Sequence, residues 1–177
     1  MYRKFCRVIG ITYLLFLTSS AFAQSVEGKN YLNLGFGALP IGFSGSGGFP
    51  LSASFEHGFT DKISAGGFVS FLHRRYRDDY RYRYVVVGAR GSYHFNEELK
   101  ISDPNLDIYA GASLYLRGYK LKFKGNGAIN PLYNYSGSSL GLGVFAGGRY
   151  MLQDNIGAFA ELGYSLSALH VGITFTF

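Results

Sequence analysis

The sequence predicts an all-β chain, an eight-stranded antiparallel up-and-down transmembrane β-barrel. Three observations predict it. Eight segments alternate apolar with small or polar residues at period two, the side-chain period of a strand. The number is even, and each run approaches the 9–11 residues of a tilted membrane strand. The polar faces are mostly Gly, Ser, Thr and Tyr, with about one charge per strand, which suits an enclosed interior better than a surface in water.

Taken in order, the first element is a leader. Arg3, Lys4 and Arg7 form a positive start, Val8 to Leu17 is an uncharged, mostly apolar run, and Ala21-Phe22-Ala23 gives a small–x–small cleavage pattern. A run of roughly ten residues is half of what a helix needs to cross a bilayer. The expectation is therefore a cleaved secretory signal over residues 1–23, cut after Ala23, with Gln24 opening a barrel domain over 24–177. Cleavage removes Cys6, the only cysteine, so no disulfide or Cys-based metal site is expected. It also removes three of 17 basic residues and none of 11 acidic ones, lowering the net charge from +6 to +3. The remaining 154 residues contain 24 glycines, about twice ordinary usage of ~7%. No helical i, i+3, i+4, i+7 pattern persists in them.

The strands follow. Tyr31–Ala38 sets Leu32, Leu34 and Phe36 against Asn33, Gly35 and Gly37; Leu51–Phe59 sets Leu51, Ala53 and Phe55 against Ser52, Ser54 and Glu56. Ile63–His73 opposes Ile63, Val69 and Phe71 to Ser64, Gly66 and Ser70, and Tyr82–Phe95 opposes Val85, Val87 and Ala89 to Gly88, Arg90 and Ser92. The fifth segment alternates Ile108, Ala110, Ala112, Leu114 and Leu116 with Tyr109, Gly111, Ser113, Tyr115 and Arg117. The sixth carries Leu140, Leu142 and Val144 opposite Gly141, Gly143 and Arg149. The seventh pairs Ala158, Ala160 and Leu162 with Gly157, Glu161 and Gly163. Leu169 to Phe177 completes the set. A soluble ligand-carrying barrel would invert these faces and show Lys, Glu and Asp to water; the sparse charge argues against it.

The chain ends "LHVGITFTF", with Val171, Ile173, Phe175 and Phe177 at every second position. This ending resembles the signal by which the outer-membrane assembly machinery recognises its substrates. "VGARGSYHF" at 87–95, "GGRYML" at 147–152 and "AFAELGYSLS" at 158–167 are similar to segments of small outer-membrane β-barrel proteins of the OmpA/OmpX type. The resemblance runs over nearly all of the chain after the leader. It implies the bacterial outer membrane, a periplasmic N-terminus, and contact with outer-membrane lipid and glycolipid. The chain departs from the type in lacking tryptophan and in having no peptidoglycan-binding domain after the barrel.

Orientation then places extracellular loops at about 39–50, 74–83, 118–138 and 165–168, and turns at 60–62, 96–105 and 151–155. Glu56, Arg90 and Glu161 point inward at similar heights, and with Arg149 they are read as a packed salt-bridge network, since an enclosed ion needs a partner. Lumen glycines leave room for Tyr109, Tyr115, Phe145 and Phe159, so the interior is expected to be filled. The stretch "RRYRDDYRYRY" offers Arg74, Arg75, Arg77, Arg81 and Arg83 as surface-binding candidates, and Lys120, Lys122 and Lys124 extend the next hairpin. In a soluble protein this mixture would suggest nucleic acid; on an exported loop it suits glycolipid phosphates, with the tyrosines at the headgroup level. The four histidines read as rim residues, although His170 lies near Ser167. "GLGVFAGG" lacks the Lys-Ser/Thr of a phosphate loop. No catalytic residue, metal or cofactor is expected, nor a nucleic-acid partner. The expectation is a monomeric, non-catalytic membrane protein serving envelope integrity or surface interaction. Alternatives are an adhesin or receptor binding an unknown extracellular ligand through loops 74–83 and 118–138, a narrow pore, and a lipid-modifying enzyme.

Overall fold

The computed structural model describes residues 25–43, 46–76, 80–123, 135–164 and 167–177, with only the backbone given for 76, 122, 123 and 135. Residues 1–24, which hold the expected leader with Ala21 and Ala23 and then Gln24, lie outside the described residues, as do Arg77 and Lys124. Eight strands appear: β1 (Asn30–Gly37), β2 (Leu51–Gly58), β3 (Ile63–Tyr76), β4 (Tyr80–His94), β5 (Leu106–Phe123), β6 (Tyr135–Gln153), β7 (Ile156–Tyr164) and β8 (Leu169–Thr176). Each pairs antiparallel with the next, and β8 pairs with β1 to close the barrel. The seam is fastened at its end by Asn30, whose backbone N and Nδ2 both donate to the Phe177 carbonyl at 2.8 and 3.1 Å. Closure matters because hydrocarbon offers no water to an unpaired N–H or C=O.

Period two sorts the side chains as the sequence implies. Leu142 is 75% exposed and Leu51, Phe71, Val87, Leu116, Leu140 and Leu162 share its outer face, while Glu56 and Ser64 are fully buried on the inner one. Glycine makes the inside habitable for rings. A Cβ at Gly35 or Gly172 would lie 2.8 Å from the Phe159 ring, and one at Gly141 or Gly111 would lie 2.5 Å from Tyr115 or Phe145. Those separations are below van der Waals contact, so the wall is bare where the filling is large.

The two ends differ. At the end where β1 begins and β8 finishes, two of the three connections are short and the third, 95–105, is longer. Asp154 and Asn155 join β6 to β7, and Thr60 Oγ1 accepts from the Lys62 and Ile63 amides in the β2–β3 turn. The 95–105 connection needs one left-handed residue, Lys100 at φ 50°, an uncommon conformation outside glycine. Lys62 Nζ bridges to Glu97 and Glu98 at 2.6 and 2.8 Å. The hydrogen bond from Lys62, followed by that from the Tyr93 hydroxyl, holds the Glu98 carboxyl down at about 2.

At the other end β3, β4, β5 and β6 run 14 to 19 residues, whereas β1, β2, β7 and β8 run only 8 or 9. Four strands therefore rise above the rest as a sheet. Much of the two expected loops is consequently strand: 74–76 and 80–83 continue β3 and β4, and 118–123 and 135–138 continue β5 and β6. The described part of loop 38–50 reaches over the barrel mouth. Phe43 meets the Tyr84 ring edge-on at 4.8 Å and the Arg117 guanidinium at 4.6 Å, and packs on Val86 and Tyr115. Tyr84 is thus buried inside the mouth, which corrects its placement at the headgroups. Val85 faces out, so its neighbour in a strand must face in.

Short periplasmic turns and longer extracellular loops are the rule for such barrels, which puts the raised sheet outside the cell. Leu114 sits one outward position below Leu116, the last outward apolar residue of β5, whereas Leu140, opposite Leu116, borders the polar rim of β6. Leu114→Arg should cost about 2–4 kcal/mol in a bilayer-folding titration and Leu140→Arg about 0–1, following depth in the bilayer. Equal costs would contradict this placement of the barrel in the membrane.

Candidate functional site: the lumen network and the basic outer wall

Inside, charge is concentrated in one stack. Glu56 on β2, Gly66 on β3 and Arg90 on β4 are register neighbours, so the bare glycine lets the arginine lie across β3 toward the glutamate. Arg90 Nε is 3.0 Å from Glu56 Oε1, an ion pair off the hydrogen-bond line. The fork of the same guanidinium reaches across the lumen to Glu161, with Nη2–Oε1 at 2.7 Å and Nη1–Oε2 at 3.3 Å. Its carbon lies 4.0 Å from the centre of the Phe145 ring. Ser92 and Ser64 donate to Glu56 Oε2 at 2.6 and 2.9 Å, and the Tyr109 hydroxyl donates to Glu161 Oε1 at 2.8 Å. The structure thus brings together Glu56, Arg90 and Glu161.

Arg149 is not in that triad, a correction to the four-member grouping. Its position at the start of the β5–β6 ladder puts it opposite Asp107, whose Oδ2 is 3.4 Å from Nη1. The guanidinium is held between the rings of Tyr31 and Tyr109, at 4.0 and 4.3 Å, where cation–π attraction replaces hydration. His94 links the two groups. Its Nδ1 lies 2.8 Å from Asp107 Oδ1 and its Nε2 lies 2.9 Å from Ser64 Oγ. At 2% exposure His94 is a lumen residue and not a rim one. Strand parity could have found it: His94 is four residues from Arg90 on the same face. Tyr31, Ser64 and Ser92 were missed because neutral donors carry no signal until a register aims them.

Ser64, His94 and Asp107 have the connectivity of a hydrolytic triad. Chemistry needs more. Ser64 is fully buried, and its single hydroxyl hydrogen is donated to the Glu56 carboxylate, which leaves none for His94 to take as a base. No acyl group can reach it. The Ser167 hydroxyl donates to the Leu169 carbonyl and accepts from the Leu39 amide, so it is committed to loop geometry and not to His170. Above the network the lumen keeps a cavity of about 40 Å³ beside Asn33, Glu161 and His170, room for a few waters.

Outside, the register assembles the basic candidates. Arg75 is opposite Arg81, which is opposite Lys122, and His73 is opposite Arg83, which is opposite Lys120. Arg75, Arg81, Arg83 and Lys120 share the outward parity of Phe71, Val85 and Leu116 directly below them. Arg74 takes the inward parity instead, and donates to the Phe43 carbonyl at 3.3 Å. Val171, Ile173, Phe175 and Phe177 lie along the outer face at the seam, with the Phe177 ring 6.4 Å from Phe55.

A family model for the outer membrane protein β-barrel domain matches residues 9–172. The chain belongs to this family. It is a bacterial outer-membrane barrel, and its aliphatic outer face is the face lipid covers. Solved structures share the fold at low identity. The N-terminal β-barrel domain of Pseudomonas aeruginosa OprF superposes with a TM-score of 0.58 at 16% identity, over 85% of this chain and 98% of that one. The outer membrane protein OprG from Pseudomonas aeruginosa gives 0.57 at 12% identity, over 88% and 98%. Ail, the attachment invasion locus protein of Yersinia pestis, gives 0.52 at 18% identity, over 85% and 99%. No curated protein matches the sequence.

Truncating Arg90 to Ala in this outer-membrane barrel orphans Glu56 and Glu161 in a closed space. The expected loss is about 3–5 kcal/mol, the scale for removing one partner of a buried pair. Adding Glu161→Gln should recover part of it, whereas Arg149→Ala combined with Glu161→Gln should show far weaker coupling. Reversible unfolding from lipid vesicles at neutral pH measures both cycles, and equal couplings would contradict the two-group division.

Proposed function

We propose that the protein is a monomeric, non-catalytic outer-membrane protein that fixes phosphorylated surface glycolipid on its outer wall and presents the raised sheet for surface interaction. The basic ladder carries this reading. Like charges directly opposite each other on neighbouring strands are destabilising, yet Arg75 faces Arg81 and Arg83 faces Lys120 at the level where apolar residues give way to polar ones. Every described carboxylate lies in the lumen or at the periplasmic end: Glu27, Glu56, Asp61, Glu97, Glu98, Asp103, Asp107, Asp154 and Glu161. Asp78 and Asp79 lie outside the described residues; among the described ones no carboxylate stands beside the ladder, which favours anions from outside the chain. Phosphates at the headgroup level supply them, and arginine binds phosphate as a fork.

The interior supports the non-catalytic part of the reading. Arg90, Tyr109, Phe145, Arg149 and Phe159 occupy the lumen, and Ser64 is sealed within it. A pore would need one of these to move. The raised sheet supports surface interaction. Above Val144, β6 has no described β7 partner, and a strand edge of this kind accepts an added strand.

The ladder predicts a change of sign with lipid. In vesicles of zwitterionic lipid alone, Arg83→Gln should stabilise the barrel by about 0.2–1 kcal/mol by relieving its opposite lysine. In vesicles containing a diphosphorylated glycolipid the same substitution should destabilise it. Unfolding titrations in the two lipids decide the matter, and the same sign in both would sink the glycolipid reading.

The outward Val171, Ile173, Phe175 and Phe177 are assigned to recognition by the assembly machinery. Deleting Phe177 should lower the heat-modifiable, folded fraction in cells while export continues. An unchanged folded fraction would remove that assignment.

A further inference from the structure

A neutral imidazole has one nitrogen that donates and one that accepts. Both nitrogens of the buried His94 meet groups that can only accept. Nδ1 lies 2.8 Å from Asp107 Oδ1. Asn96 Nδ2 converges on the same oxygen at 3.2 Å, and its amide is fixed that way round because Asn96 Oδ1 accepts from the Ile108 N–H at 2.9 Å. Arg149 Nη1 lies 3.4 Å from Oδ2 of the same carboxyl. Asp107 is therefore an ionised acceptor, and His94 Nδ1 donates to it. On the other side of the ring, Nε2 lies 2.9 Å from Ser64 Oγ. The single hydrogen of that hydroxyl goes to Glu56 Oε2, also at 2.9 Å. Glu56 is the carboxylate that pairs with Arg90 at 3.0 Å and accepts from Ser92 at 2.6 Å. With the serine hydrogen committed to Glu56, a bare Nε2 would set two lone pairs against each other. The contact is a hydrogen bond only if Nε2 donates as well.

Charge gives the same count independently. Below the mouth the described lumen holds three carboxylates, Glu56, Asp107 and Glu161, against two guanidinium groups, Arg90 and Arg149. Arg74 and Arg117 belong to the mouth; Arg117 is ten residues up β5 from Asp107, about 33 Å along the strand. One uncompensated negative charge in an enclosed space is costly, and one further proton removes it. Charge alone would let His170, opposite Glu161 on the neighbouring strand, carry that proton. Among the described residues no acceptor meets His170 Nε2, so the hydrogen bonds select His94. The rings around His94 also suit a cation: Tyr31 stacks on it with centroids 5.9 Å apart, and Tyr109 lies at 5.7 Å.

We propose that the foot of the lumen is a binding site for one proton, which His94 holds as an imidazolium between Asp107 and Ser64. The proton comes from the periplasm. A cavity of about 230 Å³ opens at that end, lined by Tyr31, Asn105, Asp107, Arg149, Gln153 and Asp154 among others. Asn105, Gln153 and Asp154 are exposed, whereas Asp107 and Arg149 are buried at its floor. A polar space of this size admits several waters, and these reach the carboxylate to which His94 donates. The imidazole that receives the proton is the Nε2–H tautomer. A proton passes from hydronium to Asp107 and on to Nδ1, leaving water behind, and no other bond changes. Three positive and three negative groups then share the lumen.

The test is nuclear magnetic resonance of the ring nitrogens in the full chain, labelled with ¹⁵N-histidine and folded into lipid nanodiscs at neutral pH. The chain has four histidines. His57→Gln, His73→Gln and His170→Gln each remove one ring from the spectrum, which leaves the His94 signals assigned. Two protonated nitrogens are expected on His94. In Glu56→Gln the new amide donates to Ser64 Oγ, Ser64 donates to Nε2, and two carboxylates face two guanidinium groups. His94 should then lose one proton and show a bare Nε2. The first measurement needs no substitution in the network, so it stands even where Glu56→Gln does not fold. A bare nitrogen on His94 in the unsubstituted chain, or two protonated ones in Glu56→Gln, overturns the proposal.

Discussion

The requirement that no backbone polar group face hydrocarbon unpaired governs this molecule. A sheet meets it only by closing, and closure needs β1 to find β8 over a register that runs from Tyr31 opposite Thr176 to Gly37 opposite His170. Eight strands closed in this way leave an interior of one narrow width, just enough for side chains to fill it. What enters that interior is then decided by the alternation of the strands and not by local propensity. Polar atoms admitted to it have to satisfy one another, because little water is available to do so. The salt bridges, the serine donors and the stacked arginines are consequences of closure.

The extracellular rim shows the same constraint relaxed. Beyond the membrane the backbone can bond to water, so strands need not end together. β3 to β6 outrun their neighbours, and Phe43, from the described part of loop 38–50, covers Tyr84 and Tyr115. At this level charge can be tolerated on the outward face, and arginines take the places that leucine and valine hold below. Position along a strand, and not residue type alone, separates a lipid-facing side chain from a headgroup-facing one.

Much of this is written in the period. All eight strands and both faces follow from counting by two, because the hydrophobic set of each strand cannot slip by one residue without turning inside out. Glu56, Arg90 and Glu161 could be grouped by counting from the periplasmic turns, since each is set off from a turn by a similar number of residues. Arg149 could not. Its partner depends on how far β5 and β6 are staggered, which fixes Asp107 opposite it, and stagger is a property of the whole closed sheet. Parity turns Tyr84 inward once Val85 and Val87 face out; a tyrosine among rim arginines reads by its chemistry as a headgroup residue, and the structure follows parity. His94 was legible by parity and obscured by proximity to a turn.

The bare places in the wall carry a consequence for how such a sequence can change. Phe159 fits because Gly35 and Gly172 have nothing there, and Tyr115 fits because Gly141 has nothing there. A methyl group added at any of these glycines meets a ring, and a ring removed leaves a void that nothing adjacent can fill. Neither half of such a pair can be altered alone without loss, but both can be exchanged together. Substitutions in the lumen should therefore be inherited as linked pairs across strands far apart in the chain, while the aliphatic positions facing lipid, which answer to no partner, drift one at a time.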